Sequence, residues 1–130
     1  AARARRLRVL VAEDEEAIRD VAATYLTRSG FQVTVVGSEP EARDAIARGL
    51  RFDALVADLR IPGTSGRRIY ELLLASDPAL EGKVVFVTGD VANPEHLELE
   101  RDFPGALLAK PFDLAELEAR LRRLFADGGA

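Results

Sequence analysis

Along this chain the apolar positions switch between two spacings: short runs, and stripes that recur every third or fourth residue. The first run, Leu7 to Ala12, predicts a strand. It gives way to Glu13-Asp14-Glu15-Glu16, after which Ile18, Val21, Ala22, Tyr25 and Leu26 share one helical face and Ser29-Gly30 supplies the stop. Phe31 to Val36 alternates, with Phe31, Val33 and Val35 set against Gln32 and Thr34, which predicts an edge strand with one solvated face. Gly37 ends it. Ser38 and Glu41 have the spacing of a capping box, opening a second helix that Gly49 closes.

The third strand, Asp53 to Ala57, is continuous and apolar, as suits a central strand covered on both faces, and it delivers Asp58. The chain must then turn. Pro62 fixes φ at about −65° and removes a donor, while Gly63 and Gly66 permit backbone angles closed to other residues. A helix over Arg67 to Ala75 carries Ile69, Leu72 and Leu73 inward and stops before Asp77-Pro78. Val84 to Val87 forms the fourth strand and delivers Thr88-Gly89-Asp90. Asn93 as N-cap and Pro94 at the first helical position open a helix to about Asp102. Ala106 to Ala109 is the fifth strand and delivers Lys110-Pro111. Asp113 with Glu116 caps the last helix, whose buried stripe is Leu114, Leu117, Leu121, Leu124 and Phe125.

Strand and helix thus alternate five times, which demands a parallel sheet with helices on both faces and right-handed crossovers. The second strand alone delivers no polar group, which fits a place outside the first. The predicted fold is therefore α/β, a flavodoxin-like (βα)5 three-layer sandwich with sheet order 2-1-3-4-5. All strand C-termini of such a sheet share one edge. Glu13, Asp14, Asp58, Thr88 and Lys110 are expected to converge there.

Composition narrows the class. A length of 130 residues suits one domain, read as a basic arm at 1–6, the folded unit at 7–125 and a tail at 126–130. There is no Cys, so no disulfide framework or thiolate chemistry. Net charge −4 gives no general reason to bind nucleic acid, and the Arg3, Arg5, Arg6 and Arg8 cluster reads as a solvated arm. Without a leader or a long apolar run, a soluble, cytoplasmic domain with no direct membrane contact is expected. Its Ala-Ala start and Asp127-Gly128-Gly129-Ala130 end suit a piece of a longer polypeptide. Arg outnumbers Lys 16 to 2, so Lys83 and Lys110 draw notice: a compact ammonium does different work from a planar guanidinium.

Three carboxylates at one edge need a cation, since two charges about 4 Å apart repel by roughly 4 kcal/mol at an effective dielectric of 20. All-oxygen ligation with water in the remaining positions is the habit of Mg2+, and the lone His96 leaves no softer ligand set. A dication, an ammonium and a hydroxyl together suit a phosphoryl group, and a carboxylate can serve as the nucleophile to give an acyl phosphate. Each piece has a plainer reading by itself: a solvated helix start, a turn former, a strand end, a surface lysine. One site explains all four at once.

With Glu13-Asp14, the Asp58…Pro62…Gly66 turn, Thr88-Gly89 and Lys110-Pro111-Phe112, the chain resembles a response-regulator receiver domain of two-component signalling over about residues 7–125. The resemblance implies that Asp58 takes a phosphoryl group from a phosphohistidine, the partner being a histidine kinase or a histidine phosphotransfer domain. It further implies that Asp14, Asp58 and the backbone carbonyl of Arg60 bind Mg2+, with Glu13 acting through water. Thr88 and Lys110 are then expected to grip the phosphoryl oxygens, and Gly89 to leave them room. Such a domain is no enzyme toward a separate substrate; it catalyses its own phosphorylation and dephosphorylation. The face of the fourth helix, fifth strand and fifth helix is where output, or a homodimer, is expected. Leu107 departs from the pattern, because an aromatic residue commonly stands three positions before the Lys. The segment around Lys110 is similar to receivers attached to hybrid sensor kinases. Arg60 and Asp90 are expected to pair across the mouth of the site. The competing function is a phosphorylation-independent interaction module, which the intact residue set argues against.

Overall fold

The computed structural model describes residues 6–90 and 92–126. Strands β1 (Arg8–Ala12), β2 (Gln32–Val36), β3 (Ala54–Asp58), β4 (Val84–Thr88) and β5 (Leu107–Ala109) form a parallel sheet in the order β2-β1-β3-β4-β5. Helices α1 (Glu16–Arg28), α2 (Glu39–Ala47), α3 (Gly66–Ser76), α4 (Pro94–Asp102) and α5 (Leu114–Ala126) connect and cover them. This is the expected flavodoxin-like α/β sandwich. The expected arm and tail fall mostly at 1–5 and 127–130, outside the described residues; Arg6 is exposed, and α5 runs one residue past the expected boundary.

The sheet feeds two cores because successive side chains point to opposite faces. Leu55 and Ala57 of β3 join Leu10, Phe86, Ile69, Leu73 and Leu99 beneath α2, α3 and α4. Ala54 and Val56 join Val9, Val85, Leu26, Leu117 and Leu121 beneath α1 and α5. Every position of β3 is buried, as its unbroken apolar sequence predicts. Full burial of a side chain such as Leu55 or Phe86 is worth about 1.5–3 kcal/mol, so the sheet is a stiff base for whatever stands on its edge.

The helix-opening residues Ser38 and Asn93 cap as read. Ser38 accepts from the Glu41 amide at 3.3 Å and Asn93 from the Glu95 amide at 2.8 Å. Three side chains depart from the expected pattern. Val21 is 56% exposed because it borders an open groove between α1 and residues 110–114. Val35 is 38% exposed on β2, the outermost strand, which has a neighbour on one side only. Leu72 is half-buried, and Tyr70 takes the inward place on α3. The Tyr70 ring packs edge-on against Phe86 and Phe103, and its hydroxyl oxygen accepts from the Gly82 amide at 2.9 Å, so its polar tip is satisfied.

Candidate functional site

Among the described residues, the buried polar or charged side chains are Glu13, Asp58 and Thr88, and all three stand at the C-terminal edge of the sheet. The ladder that builds the sheet also delivers them. The Glu13 amide bonds to the Val36 carbonyl at 3.0 Å, that of Leu59 to Val87 at 2.9 Å and that of Lys110 to Thr88 at 2.8 Å. Side chains 97 positions apart are thereby brought within bonding distance.

Lys110 Nζ is the centre of the cluster. It lies 2.5 Å from Asp58 Oδ2, 3.4 Å from Glu13 Oε1 and 3.9 Å from Glu15 Oε1. The other Asp58 oxygen accepts from the Arg60 amide at 2.8 Å, and Glu13 Oε2 accepts from the Glu15 amide at 3.1 Å. Burial works against the Lys110 ammonium, but the hydrogen bond and charge of Asp58, with the charge of Glu13, outweigh it and hold its pKa above the usual lysine value. Burial pushes the Glu13 carboxyl up to about 7; the Glu15 amide and Lys110 oppose the rise, and the Asp58 charge adds to it.

The remaining expected residues border the same cleft or lie just beneath it. Asp14 is exposed and lines the cleft with Asp58, Arg60, Thr64, Gly89 and Lys110. Thr88 is buried at the end of β4, where its hydroxyl oxygen accepts from the Asp90 amide at 3.1 Å; no hydrogen bond joins that hydroxyl to the side chain of Asp58 or Lys110. Arg60 and Asp90 do pair across the mouth, Nη2 to Oδ2 at 3.0 Å. Leu107 is buried beside Phe86, its partner in the strand register. Among the described residues, no three His, Cys, Asp or Glu side chains are grouped to hold a metal ion by themselves.

The two turn glycines work differently from each other. Gly63 has φ +79°, the left-handed angle expected of it. Gly66 does not have a positive φ: a Cβ there would lie 2.4 Å from the Asp58 carbonyl oxygen, so what it supplies is close approach to the acceptor strand. Sequence reasoning also missed two acids. Glu15 belongs to the acidic run that follows β1, which was a usable signal. Glu39, which binds Thr64 in the turn after Asp58, carried none.

A parallel α/β domain with a carboxylate, a lysine and a buried threonine at neighbouring strand ends defines a class of signalling domain, and known proteins place this chain within it. The family model for the response regulator receiver domain matches residues 9–122. The chain is 33% identical over 120 residues to the sensory transduction protein RegX3 of Mycolicibacterium smegmatis, covering 92% of this chain and 51% of that protein. It is 33% identical over 118 residues to the sensory/regulatory protein RpfC of Xanthomonas campestris, covering 89% and 16% respectively. The crystal structure of a response regulator receiver protein from Sinorhizobium medicae superposes with a TM-score of 0.76 at 28% identity, covering 92% of this chain and 94% of that one.

The chain belongs to the response regulator receiver domain family of two-component systems. It spans about half the length of the RegX3 relatives and a smaller share of RpfC. Half-length matches to regulators give the expected hybrid-kinase parent no support. Among the described residues, no helix is long and apolar enough to cross a membrane.

Proposed function

We propose that this domain accepts a phosphoryl group on Asp58 from a phosphohistidine of a histidine kinase or histidine phosphotransfer domain, and that the modification switches partner interactions. The observation that carries the reading is the double restraint on Asp58. One oxygen rests on the Lys110 ammonium at 2.5 Å and the other on the Arg60 amide at 2.8 Å, at the end of the central strand. A carboxylate so oriented attacks phosphorus; the donor's P–N bond breaks as the acyl P–O bond forms, and the electron pair leaves on the imidazole nitrogen.

Lys110 stays charged at neutral pH and takes oxygens of the arriving group. Thr88 is the hydroxyl proposed to do the same from β4: its oxygen accepts from the Asp90 amide, and its own proton is left to donate. Gly89, with open space where a Cβ would stand, leaves room for the group.

The donor set suits Mg2+. Asp14, Asp58 and the Arg60 carbonyl, with Glu13 acting through water, are hard oxygens, and a dication that keeps several waters needs few protein ligands. Bound there, Mg2+ would neutralise the phosphoryl oxygens during transfer. An apolar groove lined by Ala17, Ile18, Val21 and Phe112 shares Lys110 and Gly89 with the acidic cleft. That continuity supports docking of the donor's histidine-bearing segment against α1. The domain modifies itself and turns over no separate substrate.

Phosphorylation adds roughly 1.5–2 negative charges and three acceptor oxygens, to be read at the α4, β5 and α5 face, where Leu97 is 69% exposed and a homodimer would form. Leu107 has no ring to swing there, so the response is expected to run through Thr88 and the β4–α4 loop. Incubation with Mg2+ and a small acyl-phosphate donor should add one phosphate by intact mass. Asp58→Asn should add none; equal labelling of that variant would refute the assignment.

A further inference from the structure

The turn that follows Asp58 is held from behind by a residue of α2. Arg60–Ile61 and Thr64–Ser65 pair as a short antiparallel ribbon, Arg60 opposite Ser65 and Ile61 opposite Thr64. One arm serves the site: the Arg60 amide donates to Asp58 and the Arg60 guanidinium reaches Asp90. The other arm ends on Glu39, whose Oε1 accepts from Thr64 Oγ1 at 2.6 Å. Glu39 lies in the first turn of α2 with its side chain 22% exposed. Arg43 fixes its second oxygen at 2.9 Å, and Arg68 Nε stands 3.8 Å from the first. The Thr64 hydroxyl, then Arg43, hold the Glu39 carboxyl below the usual glutamate pKa, so this contact is charged at neutral pH.

Two-residue arms do not hold themselves together. Where the first arm rests therefore depends on what fastens the second. Gly66 lets the ribbon's exit pass directly over the Asp58 carbonyl, which leaves the ribbon no slack on that side.

We propose that Glu39 and Thr64 form a latch that positions the Arg60 backbone, so that a residue of α2, outside the acidic cluster, sets the site's affinity for Mg2+ and its rate of phosphoryl acceptance. Glu39 is a positioning residue: it touches neither the acceptor nor the cation and acts through Thr64 and the ribbon. The Mg2+ and rate effects rest on the phosphoacceptor reading of Asp58; the effect on the Arg60 backbone does not. A purely structural role would show differently, because an i,i+4 pair such as Glu39–Arg43 is a weak stabiliser wherever it sits.

The test compares wild type, Thr64→Val, Thr64→Ser, Glu39→Ala and Asp53→Ala, the last breaking an ion pair at the opposite edge of the sheet. Two quantities are read: hydrogen exchange of the Arg60 amide in metal-free protein, and Mg2+ affinity by calorimetry. Thr64→Val and Glu39→Ala should speed Arg60 exchange and weaken Mg2+ by about tenfold, the cost of removing an outer-shell partner. Thr64→Ser, which keeps the hydroxyl, should stay near wild type. Asp53→Ala should melt earlier with Mg2+ affinity unchanged. Unchanged Arg60 exchange in Thr64→Val, or an equal Mg2+ loss in Asp53→Ala, overturns the latch. A wild type that binds no Mg2+ and takes no phosphate defeats the phosphoacceptor reading instead, and Arg60 exchange still decides the latch.

Discussion

The two edges of the sheet treat charge in opposite ways. At the N-terminal edge Arg8, Lys83 and Arg120 each meet a matching acceptor. Asp53 takes the Arg8 amide at 2.7 Å and the Arg8 side chain at 3.1 and 3.2 Å, Lys83 ends on the Leu124 carbonyl at 2.6 Å, and Arg120 ends on the carbonyls of Gly105 and Leu107. At the C-terminal edge one ammonium faces the carboxylates of Glu13, Asp58 and, more distantly, Glu15, with Asp14 in the same cleft. The first arrangement holds strands together. The second is short of positive charge, and that deficit is what the proposed dication would offset.

Removing a partner at each edge sharpens the contrast. Lys110→Ala should cost about 2 kcal/mol in metal-free protein, less than the ~3 kcal/mol of a fully buried broken pair because the side chain is 22% exposed. Millimolar Mg2+ should return part of that loss. Asp53→Ala should cost about 1 kcal/mol, with no return on adding Mg2+. Urea midpoints with and without Mg2+ check both; equal Mg2+ rescue of the two variants would dissolve the contrast.

The pH dependence should also separate the buried acid from the partly exposed ones. Glu13 is held at about 7 against an ordinary 4.5, so the folded state binds this proton more tightly than the unfolded chain does. Its stabilising contribution is complete below about pH 4.5 and is lost as pH rises through about 7. Metal-free stability should fall across that window, and Glu13→Gln should flatten the fall. Glu39 and Glu118, whose values are lowered, act in the reverse sense: their stabilisation is present above the ordinary glutamate value and fades as pH falls through their folded values. A profile unchanged by Glu13→Gln would show that burial of that acid costs the fold nothing.

The smallest effect concerns the mouth of the site. Arg60 and Asp90 are both well exposed, so their bridge is weak. Arg60→Ala should hasten dephosphorylation by only about twofold, by opening the path for water. Equal decay rates in a phosphate-release assay would remove that role from the pair.

Much of this was readable in advance. The alternation of runs and stripes produced the sheet order, and polar residues just past four strands marked the site edge. Where the reading failed, packing decided. Val21 has a helical spacing that matches Ile18 and Tyr25, but its side of α1 looks into a groove. Gly66 reads from the sequence as a residue free in its backbone angles, whereas it is the lack of a Cβ that the Asp58 carbonyl requires of it.

By itself the sequence determined which residues stand at the strand ends, because periodicity and turn chemistry are local and a parallel sheet sends every strand end to one edge. Only the tertiary structure decided which of them meet. Lys110 settles on Asp58 and Glu13, Asp14 is left to solvent, and Glu39 reaches across from α2 to the ribbon. Such pairings depend on distances between elements far apart in the chain, which are set by how helices pack on the sheet and have no local signature.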